Sequence, residues 1–305
     1  MKLYNSFHPY AFLTIFFWSL GFVLTRLALQ YFSPFSLGFL RYFAASCTML
    51  VIVLSLKLKV PKWTDVKWFL VAGFFGFFIC MIAFNKGCET TTAATGSVII
   101  AIAPVITALL ARVFYHEKLG VYKWTATVIE FMGVTVLTLM NSTFSLNPGL
   151  LWLLLTAFSL GVYNLLQRKL TKSYSGIQAS SYSIFAGTAM LVIFSVSATK
   201  EASGAPPLQL LYVLILGVFC GAIAFAAWAQ AFKKAKRIVS VSNYMFITPF
   251  LTALLGFALA GELPDLPTIA GGIIILTGMA IFNFGDRLYE YYSQQKKREE
   301  IKCIE

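Results

Sequence analysis

Only two histidines occur in 305 residues, His8 and His116, and they stand far apart. That excludes a His-rich metal site. Charge is also scarce. Charged residues make up 12% of the chain, against about 25% in a soluble domain. Acids are the rarer half, with 12 Asp+Glu against 24 Lys+Arg and a net charge of +12. Five cysteines (Cys47, Cys80, Cys88, Cys220 and Cys303) follow no ligand or redox spacing, and most lie in apolar runs, so they read as small packing residues with no disulfide framework. The chain has no H-E-x-x-H, G-x-S-x-G, acidic metal cluster or Walker loop. Support for a hydrolase, a two-metal enzyme or ATP coupling within the chain is therefore missing. No linker, low-complexity tract or soluble domain is visible.

What is present is hydrophobicity. The chain is 59% hydrophobic and 16% aromatic, with a mean hydropathy of +0.78. These values exclude a disordered chain and point away from an ordinary soluble domain. A membrane-spanning helix needs about 20 mostly apolar residues. Ten such stretches are predicted, over 8–30, 34–56, 66–86, 92–114, 121–140, 149–169, 176–198, 208–232, 239–260 and 265–285. The first lacks a convincing signal-peptide cleavage site and runs straight into another span, so it counts as a helix. Pro9, Pro34, Pro61, Pro148, Pro206, Pro207, Pro264 and Pro267 fall in loops or near helix starts, where a missing N–H costs little. Pro104 and Pro249 fall inside helices.

The basic residues cluster between the apolar runs. With the N-terminus in the cytoplasm, 20 of the 24 Lys+Arg fall on the cytoplasmic side. That is the positive-inside pattern of a multi-pass protein of the cytoplasmic membrane with both termini inside. The excess positive charge therefore belongs to topology and anionic lipid, and no nucleic-acid partner is expected. The tail from Asp286 onward is hydrophilic and reads as a frayed cytoplasmic helix.

Shifted by 145 residues, the sequence matches itself. Ile102, Pro104, Thr107, Ala108, Leu109, Leu110, Glu117, Ile129 and Gly133 fall on Ile247, Pro249, Thr252, Ala253, Leu254, Leu255, Glu262, Ile274 and Gly278. Chance would give about two or three identities over that length. The same shift pairs Gly76 with Gly221 and Asn85 with Gln230, and a shift of 140 aligns Ser19-Leu20-Gly21 with Ser159-Leu160-Gly161. The expected fold is an all-α integral membrane protein of ten helices in two five-helix repeats, residues 1–147 and 148–286, followed by a basic tail over 287–305. Five is odd, so the second repeat enters the membrane from the opposite side. Inverted repeats of this kind build many secondary transporters, with the substrate held near the midplane between the halves.

The residues also resemble a known family. Trp18-Ser19-Leu20-Gly21-Phe22, Pro34 followed by Leu40-Arg41-Tyr42, and Pro104 to Leu110 ending at Glu117, with their copy Pro249 to Glu262, are similar to the EamA-type branch of the drug/metabolite transporter superfamily. The resemblance covers nearly the whole chain. It implies a ten-helix carrier of small metabolites, often an exporter of amino acids or related compounds. It further implies peripheral helices 5 and 10 and a central cavity open to one side at a time. It does not name a substrate.

Several side chains are candidates for the site. Arg41 lies seven residues into helix 2, about 10 Å along its axis. An Arg at that depth is costly and must face protein or a wet cavity. Its fork suits a carboxylate or phosphate, and a structural ion pair is the competing assignment. Arg26, near the outer end of helix 1, can snorkel or share that carboxylate. Glu130, in the middle of helix 5, is either a proton-coupling group or a structural or subunit contact. Glu117 and Glu262 read as helix-end or gate contacts. Pro104 and Pro249 each leave a backbone carbonyl without its donor; mirrored breaks mark the binding site in carriers of this design, and a packing kink is the competing assignment. Trp18, Asn85, Tyr163, Asn164, Trp228, Gln230, Asn243 and Tyr244 are polar or amphipathic groups inside spans and should face the interior. The pairs Ala72/Gly76 and Gly217/Gly221 read as close helix-packing sites.

The expected partners are a small-molecule substrate and the bilayer, with a homodimer left open and no cofactor or metal. Neutral or zwitterionic amino acids exported from the cytoplasm fit the few intramembrane charges best. A multidrug or lipophilic-cation exporter, an importer of a nucleoside or S-adenosylmethionine, and a lipid-linked sugar flippase are the alternatives. A channel would leave the paired halves unexplained.

Overall fold

The structure is a computed structural model, and it describes residues 6–115, 121–139, 147–234, 241, 243–281 and 284–285. Within them lie ten helical segments and no strand. They are α1 (His8–Ala28), α2 (Pro34–Ser55), α3 (Trp63–Thr90), α4 (Ala93–Phe114), α5 (Val121–Leu139), α6 (Pro148–Leu170), α7 (Gly176–Ser203), α8 (Pro207–Lys234), α9 (Ile247–Ala260) and α10 (Leu266–Ile281). Seven are long and apolar enough to cross a membrane, while α9 and α10 are shorter apolar helices. The tail over 287–305 lies outside the described residues.

Local sequence sets the helix starts. Pro34 follows the N-cap Ser33, whose side chain accepts from the Ser36 N–H. Pro148 follows Asn147, which caps the Gly149 N–H at 2.9 Å. Ser175 and Gln178 form a reciprocal capping box at α7. Asp265 accepts from the Thr268 N–H at 2.9 Å beside Pro267. Each device satisfies donors that a helix start leaves unpaired.

The two halves interlock rather than lie side by side. The main packing partners come in pairs that the repeat exchanges: α1–α9 with α4–α6, α1–α8 with α3–α6, and α2–α8 with α3–α7. Pairs that map onto themselves, α2–α7 and α4–α9, complete the core. This is the packing expected of two repeats related by a pseudo-two-fold axis.

Helices α5 and α10 sit together. Gly133 of α5 faces Ile275 and the Gly271 carbonyl, and Gly278 of α10 faces Glu130 and the Ala126 carbonyl. The outward side of this pair is exposed and apolar, with Val128, Phe131 and Met132 on α5 and Ile269 and Ile273 on α10. Large apolar side chains are also exposed on α2, α7 and α8, Leu54, Ile193 and Leu214 among them. Apolar surface on so many elements suits a bilayer rather than water.

Four helices are irregular, α7 among them, with a 3-10 turn at Val192–Phe194. Helix α3 contains a π-helical turn at Phe74–Phe78, and α8 contains one at Leu216–Ile223. The 145-residue shift maps the first onto residues 219–223, inside the second. Helix α4 is interrupted by a turn at Ala101 and Ile102, just before Pro104. Its repeat mate α9 is preceded by a 3-10 turn at Asn243–Phe246, just before Pro249.

Candidate functional site

A cavity lies between the halves. It holds about 660 Å³ free of protein atoms, counting its open mouth. Its wall is mainly aromatic and thioether, from Trp18, Phe22, Phe84, Phe225, Met81 and Met245. Arg41, Tyr42, Ser97, Thr156 and Thr248 supply the polar groups. Helices α1–α4 contribute from the first repeat; α6, α8 and the turn into α9 contribute from the second.

Arg41 is 5% exposed. Its guanidinium reaches Thr25 Oγ1 at 3.4 Å and Met81 Sδ at 3.8 Å, both weak contacts, and its Nε has no hydrogen-bond partner. It lies 5.9 Å from the ring centres of Tyr42 and Phe84. Among the described residues it makes no ion pair. The start of α2 is fixed on two sides, which sets the register of Arg41. The Asn85 amide donates to the Pro34 carbonyl at 2.8 Å. The Glu201 carboxylate of α7 accepts from the Ser33 N–H at 2.9 Å and from the hydroxyls of Ser33, Ser36 and Ser197.

Trp18 lines the cavity and packs on Trp228 with ring centres 5.1 Å apart. Trp228 itself belongs to a neighbouring apolar cluster with Ala11, Ile15, Met245 and Met279. Tyr163 is buried behind the wall. Its ring packs on Phe77 and Phe225, and its hydroxyl meets the Gln167 amide. Asn164 donates to Thr107 Oγ1 at 3.2 Å, joining α6 to α4. Tyr244 shares a hydrogen bond with His8 Nδ1 at 2.6 Å. Asn85, Tyr163, Asn164, Trp228, Gln230 and Tyr244 are not among the residues of this cavity's wall. Asn85, Asn164 and Tyr244 tie separate elements together, whereas the Tyr163 hydroxyl bonds within its own helix; a polar group in an apolar layer takes whatever partner is nearest. The Asn243 side chain, His116 and Glu117 lie outside the described residues.

Pro104 and Pro249 are not in the wall, but the residues before them are: Ile100 and Ala101 in one half, Met245 and Thr248 in the other. Phe22 belongs to the Trp18–Phe22 motif without being singled out for the site, and no motif or repeat pointed to Met81, Phe84, Thr156 or Phe225. Helical spacing from Trp18 to Phe22 offers a hint, but so many phenylalanines occupy the chain that spacing alone does not single these out.

Arg26 is absent from the cavity wall and is paired elsewhere. Its Nε meets Glu262 Oε1 at 3.1 Å, and its Nη1 donates to the carbonyls of Cys88 and Glu89 at 2.8 and 3.3 Å. The other oxygen of Glu262 accepts from the Ala93 N–H at 3.0 Å, at the start of α4. One end of the bundle is thus tied across α1, α3, α4 and the segment after α9. Glu130 is fully buried in the α5–α10 seam, away from the cavity wall, and neither carboxyl oxygen has a hydrogen-bond partner among the described residues.

Comparison with known proteins agrees with this architecture. The EamA-like transporter family matches over residues 6–139 and again over 147–284. An uncharacterized transporter, YdfC, of Bacillus subtilis is 27% identical over 265 residues, 86% of each chain. A probable terminal-alkyne amino-acid exporter of Streptantibioticus cattleyicolor is 24% identical over 271 residues, covering 89% of this chain and 91% of its own. An S-adenosylmethionine uptake transporter of Rickettsia bellii is 24% identical over 258 residues, covering 83% and 84%. A crystal structure with 18% identity superposes with a TM-score of 0.61 over 90% of this chain and 96% of its own, a likeness of fold. Two interlocked helical repeats, each matched separately by the same family, make this chain a multi-pass membrane transporter that belongs to the EamA-like transporter family.

Proposed function

We propose that this transporter is a secondary carrier working by alternating access. It exports amino acids or related small metabolites across the cytoplasmic membrane, with both termini in the cytoplasm. One observation carries the proposal: the cavity is walled by both repeats and lies beside the two matched helix interruptions. In an inverted-repeat carrier, exchange of conformation between the halves exposes such a site to each side in turn. Trp18 and Arg41 contact the substrate directly. Asn85, Tyr163, Asn164, Trp228, Gln230 and Tyr244 support the cavity from behind, Asn243 is proposed as a substrate contact, and Glu130 is the group proposed for proton coupling. The likeness to an amino-acid exporter supports the substrate class, and the 20 basic residues on one side support the orientation.

Import is the second reading, favoured by the likeness to an S-adenosylmethionine uptake transporter. The purified full-length protein in proteoliposomes separates the possibilities. Protein-dependent uptake of a labelled amino-acid mixture, rising with an imposed pH gradient, is the expected result. Uptake indifferent to the gradient points to exchange or facilitated diffusion. No amino-acid uptake from folded protein, with S-adenosylmethionine taken up instead, replaces export of amino acids by the second reading.

A further inference from the structure

Among the described residues, Arg41 is a buried cation that faces no anion. Its neighbours across the cavity are aromatic rings, a thioether and hydroxyls, and its Nε is unsatisfied. Burying an unpaired guanidinium is costly. Such a group persists where a ligand supplies the missing charge. Among the described residues the cavity wall offers no second cation and no carboxylate, so these residues balance a single negative charge and no more. A phosphate monoester would leave a surplus of negative charge among aromatic rings.

Two residues of the wall also stand one turn before the helix-breaking prolines. Pro104 has no N–H, so the Ile100 carbonyl lacks the donor that an unbroken helix would provide. Pro249 does the same to the Met245 carbonyl. Ile100 and Met245 both line the cavity, one from each repeat. Carbonyls at helix breaks hold cationic groups without placing a full negative charge in the membrane. The rings of Trp18, Phe22, Phe84 and Phe225 add an apolar surface and a further attraction for a cation.

We propose that Arg41 is the residue that selects the substrate: it binds the carboxylate of a zwitterionic amino acid with an apolar side chain, while the carbonyls beside the two helix breaks receive its ammonium group. This rests on the cavity being the transport site, as argued above. Dicarboxylates, phosphorylated metabolites and purely cationic compounds are disfavoured by the same count of charges.

Ligand analogues test the proposal. Purified full-length protein is titrated with L-phenylalanine, L-phenylalaninamide, 2-phenylethylamine and 3-phenylpropionate, with tryptophan fluorescence and thermal shift as readouts. L-Phenylalanine should bind most tightly. The amide and the amine, which lack the carboxylate, should bind at least about tenfold more weakly, the scale of one charge-assisted hydrogen bond. 3-Phenylpropionate should fall between. Arg41→Gln should remove most of the preference for the acid and, by removing a like charge, strengthen binding of the amine, and Arg41→Lys should restore part of the preference. Equal binding of acid and amide, or no binding by any carboxylate, overturns the proposal, and this wild-type series decides even if Arg41→Gln fails to fold. Uptake of the same compounds and of tetraphenylphosphonium into proteoliposomes separates the two layers. Protein-dependent uptake of the lipophilic cation but not of phenylalanine keeps the carrier and discards the carboxylate site. Selective binding of phenylalanine without uptake of any compound keeps the site and discards the carrier mechanism.

Discussion

The Arg26 guanidinium and the Glu262 carboxylate meet at 3.1 Å although 236 residues separate them in the chain. The pair joins the end of α1 to the segment after α9, and the second oxygen of Glu262 holds the Ala93 N–H at the start of α4. Its position at one end of the bundle makes it a latch on that end.

Breaking the latch should loosen that end. Glu262→Gln exchanges charge-assisted bonds for neutral ones, a loss of about 1–2 kcal/mol from the closed arrangement. Cys88 reports the change, because it is fully buried and its own carbonyl is bound by Arg26. With Cys47, Cys80, Cys220 and Cys303 replaced by Ala, a membrane-impermeant maleimide should label Cys88 about 5–30-fold faster in Glu262→Gln than in the parent. Unchanged labelling would show that the pair does not control access at that end.

Helix α8 approaches α2 through Gly217. A Cβ there would lie 2.5 Å from Ala44 Cβ and 2.6 Å from the Arg41 carbonyl. Backbone must therefore move, and Gly217→Ala should destabilise the protein by about 1–3 kcal/mol. Gly256 has open space instead, with its nearest neighbour at 3.9 Å. Gly256→Ala should leave stability unchanged or raise it by about 0.5–1 kcal/mol, since alanine orders a helix at less entropic cost. Thermal unfolding of both variants in one detergent checks the contrast.

Glu130 tests the coupling proposal. Its seam joins α5 of the first repeat to α10 of the second, so a proton gained or lost there acts on the contact between the halves. Glu130→Gln keeps the shape and removes the titration. Substrate affinity should stay within about twofold of the parent, because Glu130 is absent from the cavity wall. The response of uptake to a pH gradient should be lost. A variant that retains the full gradient response would make Glu130 a packing residue.

Tyr174 lies between α6 and α7, outside the helical segments. Its hydroxyl donates to the Asp65 carboxylate at 2.6 Å and accepts from the Lys62 N–H at 3.1 Å. The bond to Asp65 favours the protonated phenol and raises its pKa above the ordinary value of 10.0. The sign follows from linkage: a raised phenol pKa gives stability that is present at neutral pH and fades as pH rises through the folded value. In the difference between parent and Tyr174→Phe, the tyrosinate absorbance assigned to Tyr174 should appear above pH 10. Asp65→Asn should bring it back toward the ordinary value.

The sequence by itself determined the class of protein and its repeat. Apolar runs of spanning length and the 145-residue shift that pairs Pro104 with Pro249 are one-dimensional signals. They follow from the thickness of a bilayer and from the duplication of five helices, and no tertiary contact is needed to read them. Helix starts were legible for the same reason, since the caps at Ser33, Asn147 and Ser175 act within three residues. The tertiary structure decided which polar groups share a cavity. Arg26 and Arg41 look alike in the sequence, both arginines near the outer ends of neighbouring helices. Only the packing of the segment after α9 against α1 gives Arg26 a carboxylate, and only the fixing of α2 by Asn85 and Glu201 places Arg41 in the cavity without one. An intramembrane amide such as Asn85 must find a partner, but whether that partner is a substrate or the Pro34 carbonyl depends on which helix lies beside it. That choice is made by contacts between residues far apart in the chain, and helical periodicity does not encode it.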